Sequence, residues 1–348
     1  TGTGSTGVNV TTGFKPRFVL LKDSSSSNAN NWMIVDSERA GNDKLLFASS
    51  SSAESTGTDR VEFTDDGFII LDTSDGFNTN GETYIYAAFA DRPGHNFDVN
   101  NLVAEAGKDG KPGFDAVTYT GNGGTQVIGG PVYSNFGSGT VSGTKTYDKA
   151  FDGSTSTFCE PNDSQTVSFD FTGLSGGGVS VSSSLRIYLN KAGTPAAGHF
   201  TVNGTNLGGS VPSGGWLTVS NVSLLKTITL FHQSGASSVE LYAVEVDGTV
   251  LVDGNGSPPI GFEPDLIWCK TTSNAVDHKL VDSVRGLTNV QESNQSRVDS
   301  TNITNGITAT SSSGGFTVGN SGDFNTNGRT YVAWCWNAGA NSNKTYTV

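Results

Sequence analysis

Two carboxylate–guanidinium pairs at one spacing, Asp36 with Arg39 and Asp282 with Arg285, offer the most definite side-chain chemistry in the sequence. Such a pair either closes into a bidentate ion pair that braces a strand end or presents hydroxyl-binding groups to a sugar. The brace is the expected role. Trp216 follows Ser213-Gly214-Gly215, a turn where an aromatic ring either stands exposed to a ligand or folds back as a loop anchor. Tyr133 and Phe136 are further aromatic candidates for carbohydrate contact. Catalytic chemistry is not indicated. His95, His199, His232 and His278 stand apart and none belongs to a Ser or Cys nucleophile motif. Asp65-Asp66 follow a turn, and no pair of acids is marked out for glycoside cleavage. The Gly-rich stretch at 173–178 lacks the Lys-Ser/Thr of a phosphate loop. The chain is expected not to be an enzyme.

The elements that position these residues are organised by an internal repeat. Gly-Phe-Lys-Pro-Arg-Phe-Val-Leu-Leu-Lys at 13–22 returns as Gly-Phe-Glu-Pro-Asp-Leu-Ile-Trp-Cys-Lys at 261–270. Val-Asp-Ser-x-Arg at 35–39 returns at 281–285, and Phe-Asn-Thr-Asn-Gly at 77–81 returns intact at 324–328, with the offset held between 246 and 248. The opening Thr1-Gly2-Thr3-Gly4 resembles Thr120-Gly121-Asn122-Gly123. In the first copy this opening runs straight into Gly13-Phe14; in the second, about 130 residues intervene before Gly261-Phe262. A domain inserted in a surface loop of the second repeat explains the gap. The expected division is repeat 1 at 1–91, a linker at 92–115, repeat 2 split over 116–131 and 258–348, and the insert at 132–257. The first copy starts just past the position of Tyr119, so its opening strand is expected to lack its first residues.

The repeat also sorts side chains. Trp268, Trp334 and Trp336 correspond to Leu20, Ala87 and Phe89, and Cys269 and Cys335 to Leu21 and Ala88. Positions that accept Leu or Ala are packing positions, so these tryptophans read as core and these cysteines as free buried thiols. With Cys159, three scattered cysteines make neither a disulfide framework nor a zinc site.

Short β-prone runs at 17–21, 31–35, 60–63 and 83–89 are separated by Ser, Asn, Asp and Gly clusters. Asn80-Gly81 and Asn327-Gly328 signal tight turns. The insert reads the same way, with strands expected at 166–171, 185–189, 199–202, 224–231 and 239–246. The fold class is all-β: tandem β-sandwich repeats with an inserted β-sandwich. Of 348 residues, 46 are Gly and 15% are charged, with a net charge of −13. That acidity disfavours nucleic-acid binding, and no run reaches the roughly 18 apolar residues of a membrane helix. With Thr1 in first place and no leader visible, the chain is expected to be a fragment or a processed form.

The insert resembles discoidin-type (galactose-binding-like) jelly rolls through Ala-Phe-Asp-Gly-Ser-Thr-Ser-Thr at 150–157 and Ala-Val-Glu-Val at 243–246. The resemblance implies a structural Ca2+ held by the Lys149 and Ser154 carbonyls, the Asp152 and Glu245 carboxylates and the Thr157 hydroxyl, an all-oxygen cage of the sort hard cations take. The family's Trp after the Thr is Phe158 here. The flanking repeats resemble the LamG-like sandwich repeats of tailed-bacteriophage virion proteins, through the motif at 261–270, the Asp-Ser-x-Arg step and Tyr-Val-Ala-Trp-Cys-Trp at 331–336. These resemblances imply a structural, adhesive protein on the exterior of a virion: a tail fibre or tail-associated protein contacting host-surface glycans, or alternatively a capsid or tail decoration protein with a stabilising role, a polysaccharide-degrading enzyme being a distant third. They also imply other virion proteins as partners and a homo-oligomer, a trimer by analogy with fibres.

Overall fold

The computed structural model describes residues 1–90 and 113–338, less 27, 29, 75, 175, 176, 236, 256–258, 312 and 313. Most of the expected linker, with His95, lies outside the described residues. Two compact units are formed, one by Thr1–Gly129 with Gly256–Val348, the other by Gly130–Asn255. The architecture is all-β. Among the described residues no helix is long and apolar enough to cross a membrane.

Repeat 1 contributes β1 (Val8–Thr11), β2 (Pro16–Asp23), β3 (Met33–Asp36), β4 (Leu46–Phe47), β5 (Val61–Thr64), β6 (Gly67–Ile70) and β7 (Tyr84–Ala90). They form a four-stranded sheet, β4-β3-β2-β7, and a three-stranded sheet, β1-β6-β5, all antiparallel. Val19 and Leu21 of β2 and Val35 of β3 pack against Phe68, Ile70 and Val61 of the smaller sheet, so the two sheets enclose one core. Repeat 2 opens with β8 (Phe114–Thr120) and β9 (Gln126–Ile128). The first of these begins two residues inside the expected linker, because Phe114 and Asp115 continue its pairing to the end of the sheet.

The insert comprises β10 (Gly137–Gly139), β11 (Thr166–Asp170), β12 (Val179–Ser180), β13 (Leu185–Ala192), β14 (Phe200–Val202), β15 (Thr205–Asn206), β16 (Gly215–Val219), β17 (Leu224–Leu225), β18 (Thr227–Phe231), β19 (Ser238–Val246) and β20 (Thr249–Val250). Sheets β10-β11-β18-β14-β15 and β16-β13-β19-β20 sandwich an apolar core that includes Phe151, Phe169, Phe171, Ile187, Leu230 and Leu241. Along β13, Leu185, Ile187 and Leu189 are buried while Arg186, Tyr188 and Asn190 between them are not, which is the period of two expected of a sheet with one wet face.

Repeat 2 is completed by β21 (Leu266–Thr271), β22 (Lys279–Asp282), β23 (Ile307–Thr310), β24 (Phe316–Val318), a single helical turn (Gly322–Asn325) and β25 (Thr330–Trp336). Its sheets are β22-β21-β25-β8 and β23-β24-β9. The intact Phe-Asn-Thr-Asn-Gly motif has a local reason. Its buried first Asn ties down the opening loop of each repeat: Asn78 accepts from Thr3 N at 2.7 Å and donates to Ser5 O at 2.6 Å, and Asn325 accepts from Asn122 N at 2.8 Å and donates to Gly124 O at 2.5 Å. The Gly that closes the motif takes φ of 84° in one copy and 77° in the other, which glycine adopts without strain.

The four-stranded sheets of the two repeats pack on each other. Phe18, Ile34, Leu46 and Ala48 of repeat 1 share a core with Phe114, Ala116, Val332 and Trp334 of repeat 2. Phe18 is the hub, with ring centroids of Phe89, Trp334 and Trp336 within 5.9 Å. Sheets buried on both faces need apolar residues at consecutive positions. That is why β2 and β25 read as unbroken hydrophobic runs while β13 alternates.

Candidate functional site

The outward face of β16-β13-β19 in the insert carries a row of four aromatic rings. Register sets Trp216 opposite Tyr188, and their centroids are 5.3 Å apart at 89°. Tyr188 meets Tyr242 at 5.5 Å, and Tyr242 meets Phe158 at 4.9 Å. Tyr242 reaches this face through an irregularity: β13 and β19 shift register there, with Tyr188 opposite Ala243 and Leu189 opposite Leu241, leaving Tyr242 as the extra residue. All four rings are partly exposed.

Charged and amide groups line the row. The Arg186 guanidinium lies 4.9 Å from the Trp216 ring centre and donates to both oxygens of Glu245, at 2.7 and 2.5 Å. Glu240 accepts from Asn190 Nδ2 and from the Tyr242 hydroxyl, each at 2.9 Å. Burial and the Glu240 carboxylate push the Tyr242 phenol up to about 12, so it stays a hydrogen-bond donor throughout the physiological range. At the far end Lys145 sits 4.9 Å from the Phe158 ring centre and pairs with Glu160 at 2.5 Å. Aromatic rings give apolar faces for the C–H side of a sugar ring, and planar carboxylate, amide and guanidinium groups beside them match vicinal hydroxyls. Trp216 therefore belongs to a row of four aromatic rings, three of which the sequence did not single out for carbohydrate contact. Gly214, with φ of 79°, makes the expected turn, but Trp216 belongs to the strand that follows.

Of the other sequence candidates, Glu245 lies at this row and the rest do not. Tyr133 is a correction: it is 4% exposed and packs on Phe151 and Phe171. Phe136, stacked edge-on against Phe171, likewise serves the core. Of the residues implied for Ca2+, Asp152 accepts from Ser154 N at 2.9 Å and from the Thr157 hydroxyl at 2.6 Å, closing its own loop. The Lys149 amine pairs with Asp148 at 2.8 Å. Glu245 accepts from Arg186 in the bidentate pair described above.

The repeated Asp–Arg pairs are braces of one design. Arg39 donates from its backbone N to Asp36 Oδ1 at 2.9 Å and from Nε to Oδ2 at 2.7 Å, then reaches Glu54 at 2.8 Å. Arg285 does the same with Asp282 at 2.8 and 2.6 Å and reaches Asp299 at 2.7 Å. The repeat-1 copy is buried in the junction, where Trp334 Nε1 donates to Asp36 at 3.1 Å. Lys270, also buried there, donates to the Thr271 carbonyl at 2.8 Å, and burial pushes its amine down to about 8. All three cysteines are free and buried; burial pushes the Cys159 and Cys269 thiols up to about 12, which removes them as nucleophiles at neutral pH.

Residues 1–93 and 246–347 match the profile of a domain of unknown function, DUF7483. The chain belongs to that family. No curated protein and no solved structure matches the chain. The DUF7483 match takes both repeats as one domain, and the shared core between their four-stranded sheets supplies the physical reason. The aromatic row, at residues 158–242, falls in the interruption of that match. The aromatic row is thus carried by the insert, outside the residues that match DUF7483.

Proposed function

We propose that the chain is a structural and adhesive component of a bacteriophage virion, a tail fibre or tail-associated protein, whose insert contacts host-surface glycans. The virion reading rests on the motif resemblances in the two repeats. The glycan reading rests on one observation: the row Trp216–Tyr188–Tyr242–Phe158, flanked by Arg186, Asn190 and Glu240 on an open sheet face. Many copies on one particle would multiply weak single contacts into firm attachment.

The test is binding of the full chain to an array of bacterial surface polysaccharides, repeated with W216A and Y188A. Each variant is expected to lose roughly tenfold or more in affinity, as removal of an aromatic anchor does in other interfaces, with the melting temperature nearly unchanged. Absence of binding, or binding indifferent to both substitutions, overturns the glycan reading. Gold-labelled antibody on intact particles tests location: label on the tail is expected, and label spread over the head replaces the adhesin reading with shell decoration.

A further inference from the structure

The two repeats differ at one sheet edge. In repeat 2, β25 lies between β21 and β8. In repeat 1, β7 pairs with β2 on one side, and among the described residues no strand pairs with its other side. The equivalent side chains record the difference. Val332 and Ala333 of β25 are fully buried, whereas Ile85 and Tyr86, which correspond to them, are 48% and 44% exposed. Unpaired backbone beside exposed apolar side chains is a template for another strand.

The register of that strand is fixed by bonds both repeats share. Gly2 N donates to Glu82 O at 2.7 Å, as Gly121 N does to Arg329 O at 2.8 Å; Gly81 N donates to Gly2 O at 3.0 Å, as Gly328 N does to Gly121 O at 2.9 Å. Both glycines are pressed so close to a carbonyl that a Cβ would lie 2.1 Å from Thr79 O or 2.3 Å from Thr326 O. Thr1-Gly2 therefore occupies the place of Thr120-Gly121, the point at which β8 leaves the edge of β25. Within β8, Tyr119 stacks on Tyr331 at 5.0 Å and donates to Phe324 O at 2.8 Å. The matching receptors in repeat 1 are the Tyr84 ring and the Phe77 carbonyl. Tyr84 is already set as Tyr331 is, its hydroxyl accepting from Thr79 N at 2.9 Å against 3.0 Å from Thr326 N in the other copy.

We propose that the outer edge of β7 is a strand-acceptor site, filled by a strand of the β8 type that runs antiparallel to β7 and is joined to Thr1, with tyrosine as its last residue. Main-chain bonds give such an added strand its affinity and alternate side-chain pockets give it specificity. The tyrosine lies on Tyr84, the residue two before it covers Tyr86, and an aromatic at the far end meets Phe89.

The experiment extends the full chain ahead of Thr1 with a copy of the six residues 114–119, Phe-Asp-Ala-Val-Thr-Tyr, and compares amide exchange in β7 with that of the unextended chain. A control extension carries serine in place of the residues copied from Val117 and Tyr119. The expected result is exchange in β7 slowed roughly tenfold or more by the first extension and not by the control. Equal exchange in all three proteins overturns the proposal. So does β7 already protected in the unextended chain, whether protection vanishes on dilution with a change in sedimentation, showing a second copy as occupant, or on removal of residues 339–348, showing the chain's own end there.

Discussion

His278 lies fully buried under Trp268, whose Nε1 donates to His278 Nδ1 at 2.8 Å. Indole nitrogen only donates, so the imidazole is the neutral tautomer with its proton on Nε2. Burial, with the Lys270 and Arg39 cations adding to it and Asp277 opposing, pushes its pKa down to about 3 from 6.5. The unfolded chain therefore takes up this proton first as pH falls. The stability so conferred is whole above pH 6.5 and is lost between 6.5 and 3, at about 1.4 kcal/mol per pH unit. Urea unfolding at pH 4 and pH 7 should show that loss, and H278Q, which can still accept from Trp268, should shrink the difference between the two. Asn325 sets a second prediction at this scale. It is fully buried and its amide also donates to Gly319 O at 2.9 Å, so N325A leaves several buried groups unpaired and should cost about 3 kcal/mol. Chemical denaturation checks it. The sequence marked this residue by repetition alone. It gave no comparable mark to Tyr188, Tyr242 or Phe158, whose meeting with Trp216 depends on which strands become neighbours and on one register shift.

Among elements, the strands of the junction were the most legible and the most easily misread. Unbroken runs such as Phe-Val-Leu-Leu and Tyr-Val-Ala-Trp-Cys-Trp announce burial on both faces, and comparison of the copies placed the tryptophans in a core. That the second face is covered by the other repeat was not written in either run, because pairing of two sheets is a property of surfaces. Phe18, 1% exposed and ringed by aromatics from both repeats, is the residue on which this depends. F18A should cost about 3–5 kcal/mol, as large core truncations do. Calorimetry should show the loss in the transition of the paired repeats and leave that of the insert where it was. The short strands β10, β12, β15 and β20 escaped the sequence reading for the opposite reason: two or three residues, several of them Gly, Ser or Thr, carry no period.

For the molecule as a whole, the insertion is accommodated by closed ends. Ile260 N donates to Gly129 O at 2.6 Å within the paired repeats, and Gly254 N donates to Pro131 O at 2.9 Å within the insert. Each unit is thus sealed where the chain crosses from one to the other. Replacing residues 130–255 by a short Gly-Ser bridge should leave the paired repeats with one cooperative transition, and residues 130–255 alone should fold, both followed by circular dichroism and calorimetry. Loss of cooperative unfolding in the bridged protein would show that the repeats lean on the insert.

That same interruption sets an order in time. The strand β8 must find β25, more than two hundred residues further along the chain. At roughly 5–20 residues per second, a ribosome needs on the order of 10–40 s to deliver the second after the first. Throughout that interval Phe18, Ile34 and Leu46 of repeat 1 await the face that will cover them, while the insert, complete in itself, can finish first. Newly made chains therefore pass through a state with a wide apolar sheet uncovered, and the yield of soluble protein should depend on temperature and on chaperone supply far more steeply than the stability of the finished fold does.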